Sequence, residues 1–194
     1  MTVDEPFRIV ILGAGYAGMF LAINLYQQIF NEKNKHDLKG NGRSTDVEII
    51  LVDRNPYHQL LQEIHLVAAG YRTAEQISIP ITSLINGTKI RFIQSNVKEI
   101  ITESNKVILD ESMISYDLSA ICLGSTTKYF GIVGAKTNTI PFRSIDDAVR
   151  VHSRIRSLFR FRRADTTSKA RNKDHDDDAM KGTRKKKDNN INIV

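Results

Sequence analysis

The chain contains no tryptophan, one cysteine and four prolines among 194 residues. A lone thiol, Cys122, excludes an internal disulfide and any one-chain redox pair or metal site that needs two thiolates. Five scattered histidines show no metal-ligand spacing, which argues against a zinc enzyme. Aromatic residues make up only 7%, and none follows Phe161, so the C-terminal region has no platform for stacked bases. Long apolar runs are scarce too. Residues 9–26 carry no charge, near the lower limit for a spanning helix, but three glycines within 13–18 and Asn24 divide the run into two short elements. Asp4 and Glu5 stand where a secretory signal would have its basic region. The chain therefore reads as cytoplasmic, either free or peripheral on the inner face of the cell membrane.

What is present is ordinary globular chemistry: 41% apolar and 26% charged residues, with a formal net charge of +6. That charge is local. Residues 150–187 hold 14 of the 28 Lys and Arg against 5 acidic residues, whereas the remainder is net −3. The basic character belongs to a tail, and no nucleic acid is expected as a partner.

Phe7 to Leu12 is a short β-branched run with the length of a buried strand. Gly13-Ala14-Gly15-Tyr16-Ala17-Gly18 follows, and Ala17 to Phe30 has helical apolar spacing. A polar loop over 31–46 leads to a second strand, Val47 to Val52, ending at Asp53. Strand, glycine turn, helix, strand is a βαβ unit with a parallel sheet. Residues 57–70 read as one helix closed by Gly70. Lys89–Gln94 alternates as a strand. Val97–Thr102, Lys106–Leu109 and Met113–Tyr116 are spaced as an antiparallel meander. Leu118 to Leu123 is a further apolar run, read as a strand that encloses Cys122. Ser144 and Asp147 open an amphipathic helix over 144–163. The expected fold is α/β, a three-layer ββα Rossmann-type domain over residues 1–163, followed by a charged, disordered linker over 164–190.

The glycine pattern has a physical reading. A dinucleotide diphosphate carries two negative charges, and the N-terminus of a helix offers N–H groups and a partial positive charge. Gly13 permits the strand-to-helix turn, Gly15 leaves room for the phosphates, and Gly18 lets the helix approach the strand. Asp53 is positioned to accept hydrogen bonds from a ribose hydroxyl pair. Gly18 to Asp53 spans 35 residues rather than about 20, and the polar loop 31–46 accounts for the excess. Spacing alone does not separate FAD from NAD.

Arg8 to Gly18 resembles the opening of two-dinucleotide flavoproteins of the pyridine nucleotide-disulfide oxidoreductase superfamily. Asp53-Arg54-Asn55-Pro56-Tyr57-His58, then Glu63-Ile64-His65 and Ala68-Ala69-Gly70, resembles one branch, the type II, non-proton-pumping NADH dehydrogenases. Tyr116-Asp117 with Ile121 to Ser125 resembles the superfamily's second FAD motif. Tyr129 to Gly134 and Pro141 to Ala148 also match the branch. The resemblance implies FAD as cofactor, NADH as hydride donor and a quinone as electron acceptor, with a homodimer left open. It also implies site residues: Gly13, Ala14, Gly15, Tyr16, Ala17 and Gly18 on the diphosphate, Asp53 on the adenosine ribose and Arg54 flanking the adenine. His58 would approach the cofactor, Val97 would meet the adenine through its backbone, and Gly124 would lie near the adenosine. Arg54 fits a merely solvated arginine equally well. His65 reads as a packing residue and Cys122 as a small buried hydrophobe.

No second glycine fingerprint occurs in these 194 residues. Ile191-Asn192-Ile193-Val194 echoes Phe7-Arg8-Ile9-Val10 and is read as the start of an NADH-binding domain that continues beyond it. On this reading the chain carries half of an FAD site and no hydride-transfer residue. Two alternatives stay open: a sulfide:quinone oxidoreductase, which would need cysteines beyond Cys122, and a non-catalytic FAD-binding fragment whose basic tail contacts an anionic membrane.

Overall fold

A computed structural model describes residues 5–30 and 46–171, with side chains through Arg160. These residues fall into two compact units, one running through Leu60 and then Ser78–Thr126, the other made of Leu61–Ile77 and the chain from Thr127 onward.

The first unit is built on four parallel strands. They are β1 (Phe7–Leu12), β2 (Val47–Asp53), β5 (Ile90–Gln94) and β9 (Leu118–Ile121), in the order β5-β2-β1-β9. Between β1 and β2 lies α1 (Tyr16–Phe30). Two further strands, β3 (Tyr57–Gln59) and β4 (Ser78–Pro80), pair antiparallel, and a single turn of helix, α3 (Ile81–Leu84), follows. The expected meander is present as β6 (Val97–Ile101), β7 (Lys106–Leu109) and β8 (Met113–Ser115).

The parallel strands are apolar at successive positions because both faces of the sheet are covered. Ile9, Ile11, Ile49 and Leu51 face α1 and α3, where they pack with Met19, Ala22, Ile81 and Ile85. Val10, Leu12, Ile50 and Val52 face the meander, where they meet Val107, Leu109 and Ile114. Helix, sheet and meander are the three expected layers. The meander is tied at its β7–β8 turn by Asp110, which accepts from the Lys98 ammonium at 2.8 Å and from the Asn96 N–H at 2.8 Å. The Lys98 side chain first, and the Asn96 bonds after it, hold the Asp110 carboxyl well below the usual carboxylate range.

The second unit pairs α2 (Ile64–Ala69) with α5 (Ile145–Arg171), and a one-turn α4 (Ala135–Asn138) precedes α5. The Ser144 hydroxyl accepts from the Asp147 N–H at 3.1 Å, as its capping role requires. The Asp147 carboxylate reaches back to the Arg143 N–H, one position before the cap. Gly70 ends α2 in the left-handed region, φ +80°, with its N–H on Val67 and that of Tyr71 on Leu66. A Cβ at Gly70 would lie 2.6 Å from Cε1 of His152, whose Nδ1–H donates to Ala68. Gly70→Ala therefore combines a left-handed alanine with a steric conflict and is expected to cost about 1–3 kcal/mol. Urea unfolding checks this, and an unchanged midpoint rejects it.

Three expectations need correction. Residues 57–70 are not one helix: Tyr57–Gln59 is strand β3, Leu61–Glu63 is a 3-10 turn, and only Ile64–Ala69 is α-helical. Pairing of Tyr57 and His58 with Pro80 and Ile79 overrides a helical pattern too short to sustain itself. Cys122 is not inside a strand: β9 ends at Ile121, and Cys122 is half-buried just beyond it. Helix α5 runs on to Arg171, into the stretch expected as linker, since elongating a formed helix takes far less than nucleating one. Residues 31–45, the rest of the linker, the basic cluster 181–187 and the 191–194 segment lie outside the described residues. No helix among the described residues is long and apolar enough to cross a membrane.

Candidate nucleotide-binding edge

All four parallel strands end at one edge of the sheet, and the predicted site residues follow those ends. Moving outward from β1, the chain goes to β2 on one side and to β9 on the other, which makes β1–β9 the switch point where open α/β sheets take ligands. The glycine loop leaves β1 there. Its path is held by backbone bonds from the Gly13 N–H to Val52 at 2.7 Å and from the Cys122 N–H to Leu12 at 2.7 Å.

The three glycines have three separate reasons. Gly13 sits at φ +101°, a conformation L side chains rarely adopt, and a Cβ there would strike the Cys122 carbonyl. Gly18 is buried on α1, and its Cβ would overlap the Gly13 carbonyl and lie 3.2 Å from the Cys122 Cβ. Gly15 is the opposite case: it is exposed, and a Cβ would meet nothing within 4 Å. The loop is thus tight at its ends and open in its middle, beside the exposed Tyr16 and Ala17 at the start of α1. The first turn of a helix has N–H groups without intrahelical acceptors, and they project from this end.

Asp53 ends β2 beside the loop. Its Oδ2 accepts from the Ala14 N–H at 2.7 Å, and its Oδ1 accepts from the Asn55 N–H at 2.8 Å. A carboxylate has about four lone-pair directions, so two remain for further donors. His58, on β3 and not on a helix, is buried, and its Nδ1–H donates to the Ala14 carbonyl at 2.9 Å. The Tyr16 ring meets His58 edge-on, with centroids 4.7 Å apart. This clamp on Ala14 was invisible in the sequence, where His58 had been read onto a helix.

The remaining predicted residues reach the same edge without joining the clamp. The Arg54 side chain is exposed, and its carbonyl accepts from the Gln94 amide at 3.3 Å. The Ser95 N–H bonds the Asp53 carbonyl at 2.9 Å, and Val97 opens β6 two residues later, half-buried against the meander core. Gly124, φ +76°, follows Cys122 with open space at its Cβ position. His65 is exposed on α2. Asp117 is at the opposite edge, where it accepts from the Arg8 N–H at 2.7 Å. A recess of about 360 Å³ opens there, lined by Arg8, Asn105, Tyr116 and Asp117 among others. Its arginine is already committed to Glu48 at 3.1 Å and to Ser115 at 3.0 Å. The chemistry suited to an anion is at the carboxyl edge.

A family model described as pyridine nucleotide-disulphide oxidoreductase matches residues 7–164. A type II NADH:quinone oxidoreductase of Staphylococcus aureus (strain NCTC 8325 / PS 47) is 26% identical over 152 residues, covering 78% of this chain and 35% of the relative. Among solved structures, the sulfide:quinone oxidoreductase of Aquifex aeolicus superposes with a TM-score of 0.62 at 22% identity, over 79% of this chain and 32% of that one. NDH2 of Plasmodium falciparum, solved in complex with NADH, gives 0.59 at 17% identity, over 76% and 28%. Both structural likenesses show the shared fold. The chain spans about a third of the length of the relatives it matches.

Proposed function

The chain belongs to the pyridine nucleotide-disulphide oxidoreductase family, and from that premise we propose that its first unit builds the ADP half of an FAD site in an NADH:quinone oxidoreductase. The observation that carries this reading is the open cradle at Gly15. A loop closed by steric necessity at Gly13 and Gly18 yet vacant at Gly15 suits the close approach of a diphosphate to backbone N–H groups.

In this reading the Gly13–Gly18 loop binds the diphosphate, and Asp53 uses its remaining lone pairs on the ribose hydroxyls. Val97 and Gly124 border the adenosine, with Arg54 at the solvent side. Flavin held by these residues would supply the redox chemistry, hydride transfer from NADH and two-electron transfer to a quinone. The residues described here bind and orient. The sulfide:quinone alternative draws no support from Cys122, the chain's single cysteine, which packs behind Gly18.

Titration of the chain with FAD, ADP and FMN tests the assignment. FAD and ADP are expected to compete for one site, and FMN, which lacks the adenosine half, is not expected to displace them. Displacement by FMN alone, or no binding of either adenine nucleotide, rejects it. Asp53→Ala removes hydrogen bonds to a charged acceptor worth about 1.5–3 kcal/mol each, so the Kd for ADP should rise by about tenfold or more. Equal dissociation constants would remove Asp53 from the site.

A further inference from the structure

Among the described residues, the hydrogen bond on the Ala14–Gly15 peptide is the one from His58 to the Ala14 carbonyl. We propose that His58 is a positioning residue: by fixing the Ala14 carbonyl it turns the Gly15 N–H toward the diphosphate. This rests on the nucleotide reading given above and assigns the part of the site that makes it selective for phosphate.

The argument begins with the peptide unit. No peptide bond among the described residues is cis, and in a trans unit the C=O and the following N–H point in opposite directions. The Ala14 carbonyl accepts from His58 Nδ1 at 2.9 Å, so the Gly15 N–H is directed away from His58; Gly15 itself is exposed, with open space at its Cβ position. A carbonyl oxygen cannot donate, so Nδ1 carries the proton, and in the neutral ring Nε2 is the acceptor. The ring is fixed by burial, with 7% of the residue exposed, and by the Tyr16 edge contact. The Ala14 N–H is anchored separately, on Asp53 at 2.7 Å.

Among the described residues, no other hydrogen bond fixes that plane once His58 is removed. Gly15 has no Cβ to resist rotation of the peptide before it, and a flip would exchange the directions of the N–H and the C=O. An oxygen would then face the anion. His58 acts on the diphosphate through the Ala14 carbonyl, at one bond's remove.

The test separates phosphate recognition from general integrity of the site. His58→Phe keeps the ring and its burial but removes the donor. His58→Asn places an amide nitrogen on Cγ, at the position of Nδ1. ADP and adenosine are titrated against the chain and both variants. His58→Phe should weaken ADP by about tenfold or more and leave adenosine affinity within twofold of wild type, while His58→Asn recovers most of the ADP affinity. Equal losses for ADP and adenosine, or no loss of either, overturn the proposal. Long-range 1H–15N correlation on the free wild-type chain reads the histidine tautomer without any nucleotide. A protonated Nδ1 is expected, and an unprotonated one overturns the proposal even if a variant fails to fold. Should the wild-type chain bind neither FAD nor ADP, the nucleotide reading falls while the tautomer result stands by itself.

Discussion

Gly18→Ala is expected to abolish cooperative folding of the first unit, or to lower its stability by about 3 kcal/mol or more. The added Cβ would overlap the Gly13 carbonyl, which is backbone and shares its peptide plane with the Ala14 N–H that Asp53 holds at 2.7 Å. Relief would require α1 to lift from the sheet. That would expose Met19 and Ala22, which pack on Ile9, Ile11, Ile49 and Leu51 in the core beneath the helix. Far-ultraviolet circular dichroism during urea unfolding provides the measurement, with Gly15→Ala as the companion variant. The Gly15 variant should unfold with the wild-type midpoint, because its Cβ enters open space. A Gly18→Ala midpoint equal to wild type would mean that the helix–strand approach is looser than described.

Gly15→Val should do the reverse. Its stability should stay within about 1 kcal/mol of wild type, since its Cβ meets nothing within 4 Å and no left-handed φ opposes it. Its affinity for FAD and ADP should fall by more than about 100-fold, because the branched side chain fills the space through which the phosphates must approach the backbone. Flavin fluorescence and ADP titration read the loss. Undiminished affinity in a folded Gly15→Val chain would sink the assignment of the loop to a diphosphate. Taken together the two variants separate the structural glycine from the one proposed to face the diphosphate, although both belong to a single six-residue motif.

Much of this architecture was legible from residue types. Phe7–Leu12 and Val47–Asp53 are apolar at every core position, and that pattern suits only strands covered on both faces. The meander was legible because Glu103-Ser104-Asn105 and Asp110-Glu111-Ser112 punctuate short alternating runs, and Asn105 does adopt the left-handed conformation its turn needs. Gly70 was legible as a helix stop for the same local reason. Ile77, Ile81 and Ile85 are all buried, and their spacing of four residues is a signal of that burial legible in the sequence. His58 was misread because Leu60, Leu61 and Ile64 mimic a helical face, while the partner that makes Tyr57–Gln59 a strand lies some twenty residues further along the chain.

The sequence by itself determined the β1–α1–β2 unit, the meander strands, the turn at Gly13 and the acid at the end of the second strand. Those features follow from local sterics and from the period of apolar residues, which act between near neighbours. The motif already suggested that Gly18 serves packing and Gly15 stays open; tertiary structure supplied the atoms responsible, the Gly13 and Cys122 carbonyls and the open space around Gly15. Tertiary structure alone brought Asp53 and His58 to opposite ends of one residue, Ala14, the first on its N–H and the second on its carbonyl. Hydrogen bonds between residues about forty positions apart depend on strand register and on the path of the chain between them, and neither is written in local pattern.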